Sequence, residues 1–144
     1  MTTTLFDPRW LRHVFGAFPS GVAVVAAVVD STPVGIAASS FTSVSLDPAL
    51  VSLCIAHTST TWPVLREVPR LGVSILSAAQ ERAGRQLADR RGDRFAELSW
   101  RATADGAVFL DGATCMPLAI QVHAGKTEKS AKLDFHCTET VAPK

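Results

Sequence analysis

Two clusters of hydroxyl side chains carry most of the chemical potential of this chain. The first is Ser39, Ser40, Phe41, Thr42, Ser43, Val44, Ser45, set between two apolar runs. A connection that only reversed the chain would favour Gly, Asn and Asp. Small hydroxyl residues instead let a planar ligand approach the backbone and offer short donors and acceptors. The second cluster is Thr58, Ser59, Thr60 and Thr61, followed by Trp62-Pro63. Pro in the first turn after a hydroxyl cap marks a helix start, where free N–H groups attract anions. The pattern suits a phosphorylated cofactor, but taken alone it more often marks ordinary caps and turns.

Other chemistry is poorly supported. No GxGxxG or GxxxxGK run occurs, and no nucleophile elbow accompanies a Ser-His-Asp order. His57, His123, His136, Cys115 and Cys137 lack the spacings of a zinc site, so no metal is expected. Arg82, Arg85, Arg90, Arg91 and Arg94 form the main basic run, but Glu81, Asp89 and Asp93 interleave it. With a net charge of +1, nucleic acid and anionic membrane are not expected partners.

The elements that must position these groups follow from pattern. The 144 residues are 47% hydrophobic and 19% charged, which fits one folded domain over 1–144 and excludes a disordered chain. Asp7-Pro8 opens a helix whose stripe is Trp10, Leu11, Val14, Phe15 and Phe18, stopped by Pro19-Ser20-Gly21. The Val/Ala run over 22–29 predicts a buried strand, and 34–40 its hairpin partner across a turn carrying Pro33. Further strands are expected over 49–56, 71–76, 107–110 and 118–122. Ser77 and Gln80 make a capping box for a helix reaching Ala88, and 93–98 adds a helical turn around Phe95. Short strands joined mostly by turns favour an antiparallel barrel over a parallel doubly wound sheet.

Between His13 and Leu65 the formal charges are Asp30 and Asp47 alone, whereas 66–101 holds most of the arginines. The first region should be core strand, or surface hidden by a ligand or a second subunit. Cys54, inside Val51-Ser52-Leu53-Cys54-Ile55-Ala56, is expected to be a buried thiol. Three cysteines without a framework, no signal-like N-terminus and no apolar run approaching ~20 residues predict a soluble cytoplasmic protein.

Several ordered segments resemble the flavin reductase-like family. They are Phe15-Gly16-Ala17-Phe18-Pro19-Ser20-Gly21-Val22-Ala23-Val24-Val25, Ser39-Ser40-Phe41-Thr42-Ser43-Val44-Ser45-Leu46-Asp47-Pro48, Ser59-Thr60-Thr61-Trp62-Pro63-Val64-Leu65-Arg66, Ser74-Ile75-Leu76-Ser77-Ala78-Ala79-Gln80 and Gly92-Asp93-Arg94-Phe95. The resemblance is strongest over 9–112, and 113–144 diverges: where the family carries a Gly-Asp-His element, this chain has Ala124-Gly125-Lys126-Thr127.

The resemblance implies a mostly β fold, an FMN-binding split β-barrel of Greek-key-like antiparallel strands with short flanking helices. It implies a homodimer that transfers hydride from NADH or NADPH to FMN, or FAD, for a flavin-dependent monooxygenase component. By position, Ser39, Ser40, Phe41, Thr42 and Ser43 match the segment that holds the flavin ring. Ser59, Thr60 and Thr61 match the phosphate loop, Leu76 and Gln80 the ribityl side, and Arg94 and Phe95 the segment closing over the phosphate. The resemblance implies no catalytic side chain. The alternatives are a non-catalytic flavin-binding or interaction protein, and an oxidoreductase holding a deazaflavin in the same barrel.

Overall fold

A computed structural model describes residues 7–47, 49–122 and 131–134, with 119–122 and 131–134 as backbone. Asp7 caps helix α1, Pro8–Gly16, by accepting the Arg9 N–H at 2.9 Å. The helix buries none of its residues: Phe15 is 68% exposed, and Phe18 just beyond it 76%.

The apolar run folds into β1, Ala23–Val29, because both of its faces are covered. Ala23, Val25 and Ala27 face one core with Ile36, Val51, Leu65, Leu71, Val73 and Leu118. Val24 and Ala26 face a second core with Leu87, Phe95, Val108 and Leu110. A strand buried on both sides shows no polar alternation.

The hairpin to β2, Thr32–Ala38, turns at Asp30 and Ser31, whose φ values are +49° and +65°. Two positive φ values give the primed turn that matches strand twist. Pro33 therefore lies inside β2 opposite Val28, not in the turn as expected. Proline is tolerated there because β2 is an edge strand.

The hydroxyl-rich connection is itself partly strand: β3 spans Thr42–Leu46 and pairs with β4, Ala49–Ser52, with a register shift between Ser43 and Ser45. The expected strand over 49–56 stops at Ser52. Beyond it the Ser40 hydroxyl takes over the role of a strand partner: it accepts the Cys54 N–H and donates to the Cys54 carbonyl, both at 3.0 Å. Cys54 consequently lies on the surface of this chain, not in the core as expected.

Helix α2, Trp62–Leu65, leads to β5, Arg70–Ile75. The capping box at Ser77 opens a short 3-10 turn, Ala78–Gln80, ahead of α3, Glu81–Ala88. Around Phe95 the chain makes a turn and not a helix. A ribbon follows: β6, Trp100–Ala102, which the sequence pattern missed, pairs with β7, Val108–Leu110, the strand expected over 107–110. β8, Thr114–Val122, begins earlier than expected and runs through Pro117 opposite Gly72. β9, Ala131–Asp134, then lies between β8 and β4.

The main sheet runs β2-β1-β5-β8-β9-β4-β3, with every pairing antiparallel. Its edges, β2 and β3, are consecutive in sequence. Four Cα steps from Ala38 to Thr42 span at most about 14 Å. A flat seven-stranded sheet would separate its edges by about 29 Å. The sheet must therefore curl into a barrel that stays split between β2 and β3. Gly72 marks where the ribbon presses closest, since a Cβ there would sit 2.0 Å from the Val108 carbonyl oxygen. Ser74 is fully buried and accepts the Leu110 N–H at 2.9 Å.

Candidate functional site

A groove follows the outer edge of β2, in the split of the barrel. One part, about 390 Å³, lies between Ala37, Ala38, Ser39 and Ser40 of the β2 end and the segment from Cys54 to Thr61. A second part, about 290 Å³, lies between Pro33, Val34 and Gly35 and the loop from Arg90 to Phe95. Thr60, Thr61, Arg90 and Arg94 line both parts.

The small side chains of β2 give its outer edge to the groove, and an edge strand presents backbone groups without a strand partner. Arg94 anchors the middle. Its Nε–H donates to the Asp89 carbonyl at 2.6 Å, and Nη1 donates to the Gly35 carbonyl at 3.1 Å and to Thr61 Oγ1 at 3.2 Å. All three acceptors are neutral. Neither Arg90 nor Arg94 has a carboxylate within ion-pair distance among the described residues, whereas Arg82, Arg85 and Arg91 each have one. The groove thus holds uncompensated positive charge beside hydroxyl groups, an arrangement suited to an anion.

The loop that carries these cations is held by two short caps. Asp89 accepts the Arg91 N–H at 3.0 Å, and that bond holds the Asp89 carboxyl below its ordinary pKa. Asp93 accepts the Phe95 N–H at 2.9 Å, and Gly92, at φ +75°, supplies the bend between them. Phe95 is only 6% exposed: its ring packs under β2, where a Cβ on Gly35 would come within 2.9 Å of it. Phe95 belongs to the second core while also closing the floor of the smaller part.

The structure gathers Ser39, Ser40, Ser59, Thr60, Thr61, Arg94 and Phe95 around this groove. The hydroxyls differ in what remains free. Ser40 is engaged at Cys54, and Ser59 Oγ accepts the Trp62 N–H at 3.1 Å where α2 begins. The other expected residues lie elsewhere. Phe41 packs against the barrel core, and Thr42 and Ser43 belong to β3. Leu76 packs against the second core. Gln80 is occupied at both ends of its amide, accepting the Ser77 N–H and donating to the Asp111 carbonyl, both at 2.9 Å.

Pattern reading passed over Gly35, Cys54 and Arg90. Of the zinc-type candidates, His123, His136 and Cys137 lie outside the described residues. Among the described residues no three His, Cys, Asp or Glu side chains gather as a metal site. No helix among them is long and apolar enough to cross a membrane.

A family profile described as flavin reductase like domain matches residues 15–126. A probable flavin reductase of Rhizobium meliloti is 41% identical over 123 residues, covering 84% of this chain and 40% of that protein. The HsaB reductase subunit of a flavin-dependent monooxygenase from Mycobacterium tuberculosis is 34% identical over 106 residues, covering 74% and 57%. This chain therefore spans about half the length of these relatives. Among solved structures, an NADH:FAD oxidoreductase of Streptomyces globisporus C-1027, in complex with NAD and FAD fragments, superposes with a TM-score of 0.72 at 38% identity. That superposition covers 92% of this chain and 81% of the other.

Proposed function

The chain belongs to the flavin reductase-like family, and from that premise we propose that it is an NAD(P)H:flavin oxidoreductase whose flavin lies along β2, in the split of the barrel. The observation that carries this reading is the Arg94 guanidinium, locked by three neutral oxygens in a groove walled by small residues. A flavin ring fits an edge of Ala37, Ala38 and Ser39, and its phosphate fits Arg94 and the Thr61 hydroxyl.

When bound, a flavin supplies the acceptor for a hydride from a reduced nicotinamide. The chain's own work is then positional. Arg94 and Thr61 hold the phosphate and so fix where the ring sits along β2. Ser40 ties the end of β2 to Cys54, which keeps the two walls a constant distance apart. Phe95 excludes water from beneath Gly35. The larger part of the groove has no carboxylate or imidazole among its lining residues, as suits a transfer that requires no side-chain acid or base.

The partner in this reading is the oxygenase component of a two-component monooxygenase, and the location is the cytoplasm, where the exposed Cys54 would stay reduced. A homodimer belongs to the same reading. Its support is the apolar surface this chain leaves on α1 and on β3, where Leu46 is 89% exposed. Light scattering should give twice 15.3 kDa, and Leu46→Asp should shift the protein toward monomer.

Equilibrium titration with FMN and FAD, followed by NADH oxidation in the same cuvette, tests the main proposal. Binding with nicotinamide-dependent reduction is expected. Binding without reduction would favour a flavin-binding protein, and no binding at ~100 μM flavin would overturn the proposal.

A further inference from the structure

The flavin reading leaves one half of the groove unused if the ligand is a mononucleotide. Arg94 has Nε–H and both Nη1 hydrogens engaged, which leaves the two Nη2 hydrogens for a single phosphate. Ring and phosphate would fill the larger part and stop at Arg94. Arg90 shares the junction of the two parts with Arg94, and the smaller part extends from it between Pro33, Val34 and the Phe95 floor.

Arg90 is the other uncompensated cation of the groove. Its guanidinium makes no hydrogen bond or ion pair with any described residue, while that of Arg91 beside it pairs with Asp89. Its position is nevertheless set, because the Asp89 and Asp93 caps hold the loop on either side of it. Asp93 adds an acceptor at the far end: its Oδ1 takes the Phe95 N–H, and Oδ2 has no partner among the described residues. Where the two parts meet, the groove thus holds a cation for each of two phosphates, and the smaller part adds the Pro33, Val34 and Phe95 surfaces and a carboxylate suited to sugar hydroxyls.

We propose that Arg90 is the specificity-determining residue that reads the second phosphate of flavin adenine dinucleotide, with the adenylate half in the smaller cavity. The inference rests on the flavin reading above and goes beyond it by choosing the dinucleotide over the mononucleotide. The chemistry recognised is a pyrophosphate-linked adenosine, which a nicotinamide dinucleotide also carries, so the test must separate the two.

Dissociation constants for riboflavin, FMN and FAD are measured by flavin fluorescence on the wild type, Arg90→Ala and Arg90→Lys, together with the KM for NADH. Arg90 is exposed and unbonded, so both variants should keep the wild-type melting temperature. The wild type should bind FAD at least ~10-fold more tightly than FMN, and Arg90→Ala should erase that margin while FMN and riboflavin move less than ~2-fold. Arg90→Lys should keep part of the margin. Equal wild-type affinity for FMN and FAD, a margin that survives Arg90→Ala, or a parallel loss for both ligands would each overturn the proposal. A variant that raises only the KM for NADH would overturn it too, by assigning Arg90 to the nicotinamide dinucleotide. A wild type that binds no flavin fails at the first arm, and there the flavin reading itself falls, taking this inference with it.

Discussion

The stack of β1, β5 and β7 and the groove along β2 lie one strand apart and follow opposite rules. In the stack nothing is left over. Gly72 yields its side-chain volume to the Val108 backbone, and the Ser74 hydroxyl receives the Leu110 N–H. In the groove something is left over: two guanidinium groups face hydroxyls and carbonyls with no carboxylate within ion-pair distance among the described residues. Burial makes an unmet polar group costly, so the stack must be complete within the chain. Solvent makes an unmet charge cheap, so the groove can hold charge in reserve for a ligand.

The stack has least tolerance at Gly72. Gly72→Ala places a Cβ against backbone that cannot rotate away, and should cost about 3 kcal/mol or more. Urea unfolding should show the lowered midpoint, and a midpoint within experimental error of the wild type would remove the close packing of ribbon on β5 from this account. Arg94→Ala should act on the other side of the comparison. FMN affinity should fall ~10–100-fold, with riboflavin much less affected because it has no phosphate to lose. An equal loss for both would make Arg94 a brace for the Gly35 wall and not a phosphate ligand.

Ser74→Ala separates the regions by a smaller amount. It strands the buried Leu110 N–H and should cost about 1–3 kcal/mol of stability while leaving flavin affinity unchanged.

The smallest effect is expected at the surface turn that joins the ribbon to β8. The Asp111 carboxylate accepts from Ser99 Oγ and, at 2.9 Å, from Arg101 Nη1, and these bonds hold its pKa below the ordinary value. A carboxyl whose pKa is depressed by folding stabilises above its unfolded value, near ~3.9, and loses that contribution as pH falls through the folded value. Asp111→Asn should therefore lower the melting temperature slightly at neutral pH and converge with the wild type in acid. A difference that grows in acid would contradict the assignment.

The same contrast explains what could be anticipated from residue order. The β1 run was legible because eight consecutive apolar residues can only be buried on two faces. The capping box at Ser77 and the Pro8 helix start were legible because their partners lie within three residues. Pro33 misled because proline commonly marks a turn, yet here the pair Asp30-Ser31 takes the positive φ values without a glycine to announce it. Cys54 misled because its apolar neighbours suggest a strand, while its backbone pairs with a hydroxyl fourteen residues away. β6, with three residues and two of them exposed, carries too little pattern to recognise.

Residue order was enough for most of the elements, the barrel class and the family, because periodicity, caps and ordered motifs are properties of neighbouring residues. It also placed hydroxyls, Arg94 and Phe95 among the candidates. Only the tertiary structure decided which of them share a groove. Arg94 meets the Gly35 carbonyl across 59 positions and Thr61 across 33, and contacts at that separation arise from the curl of the sheet. The same curl carried Thr42 and Ser43 away onto β3, while Gln80 was spent on Ser77 and Asp111. A side chain's chemistry is written in its type, but its availability depends on every partner that folding brings within hydrogen-bond reach.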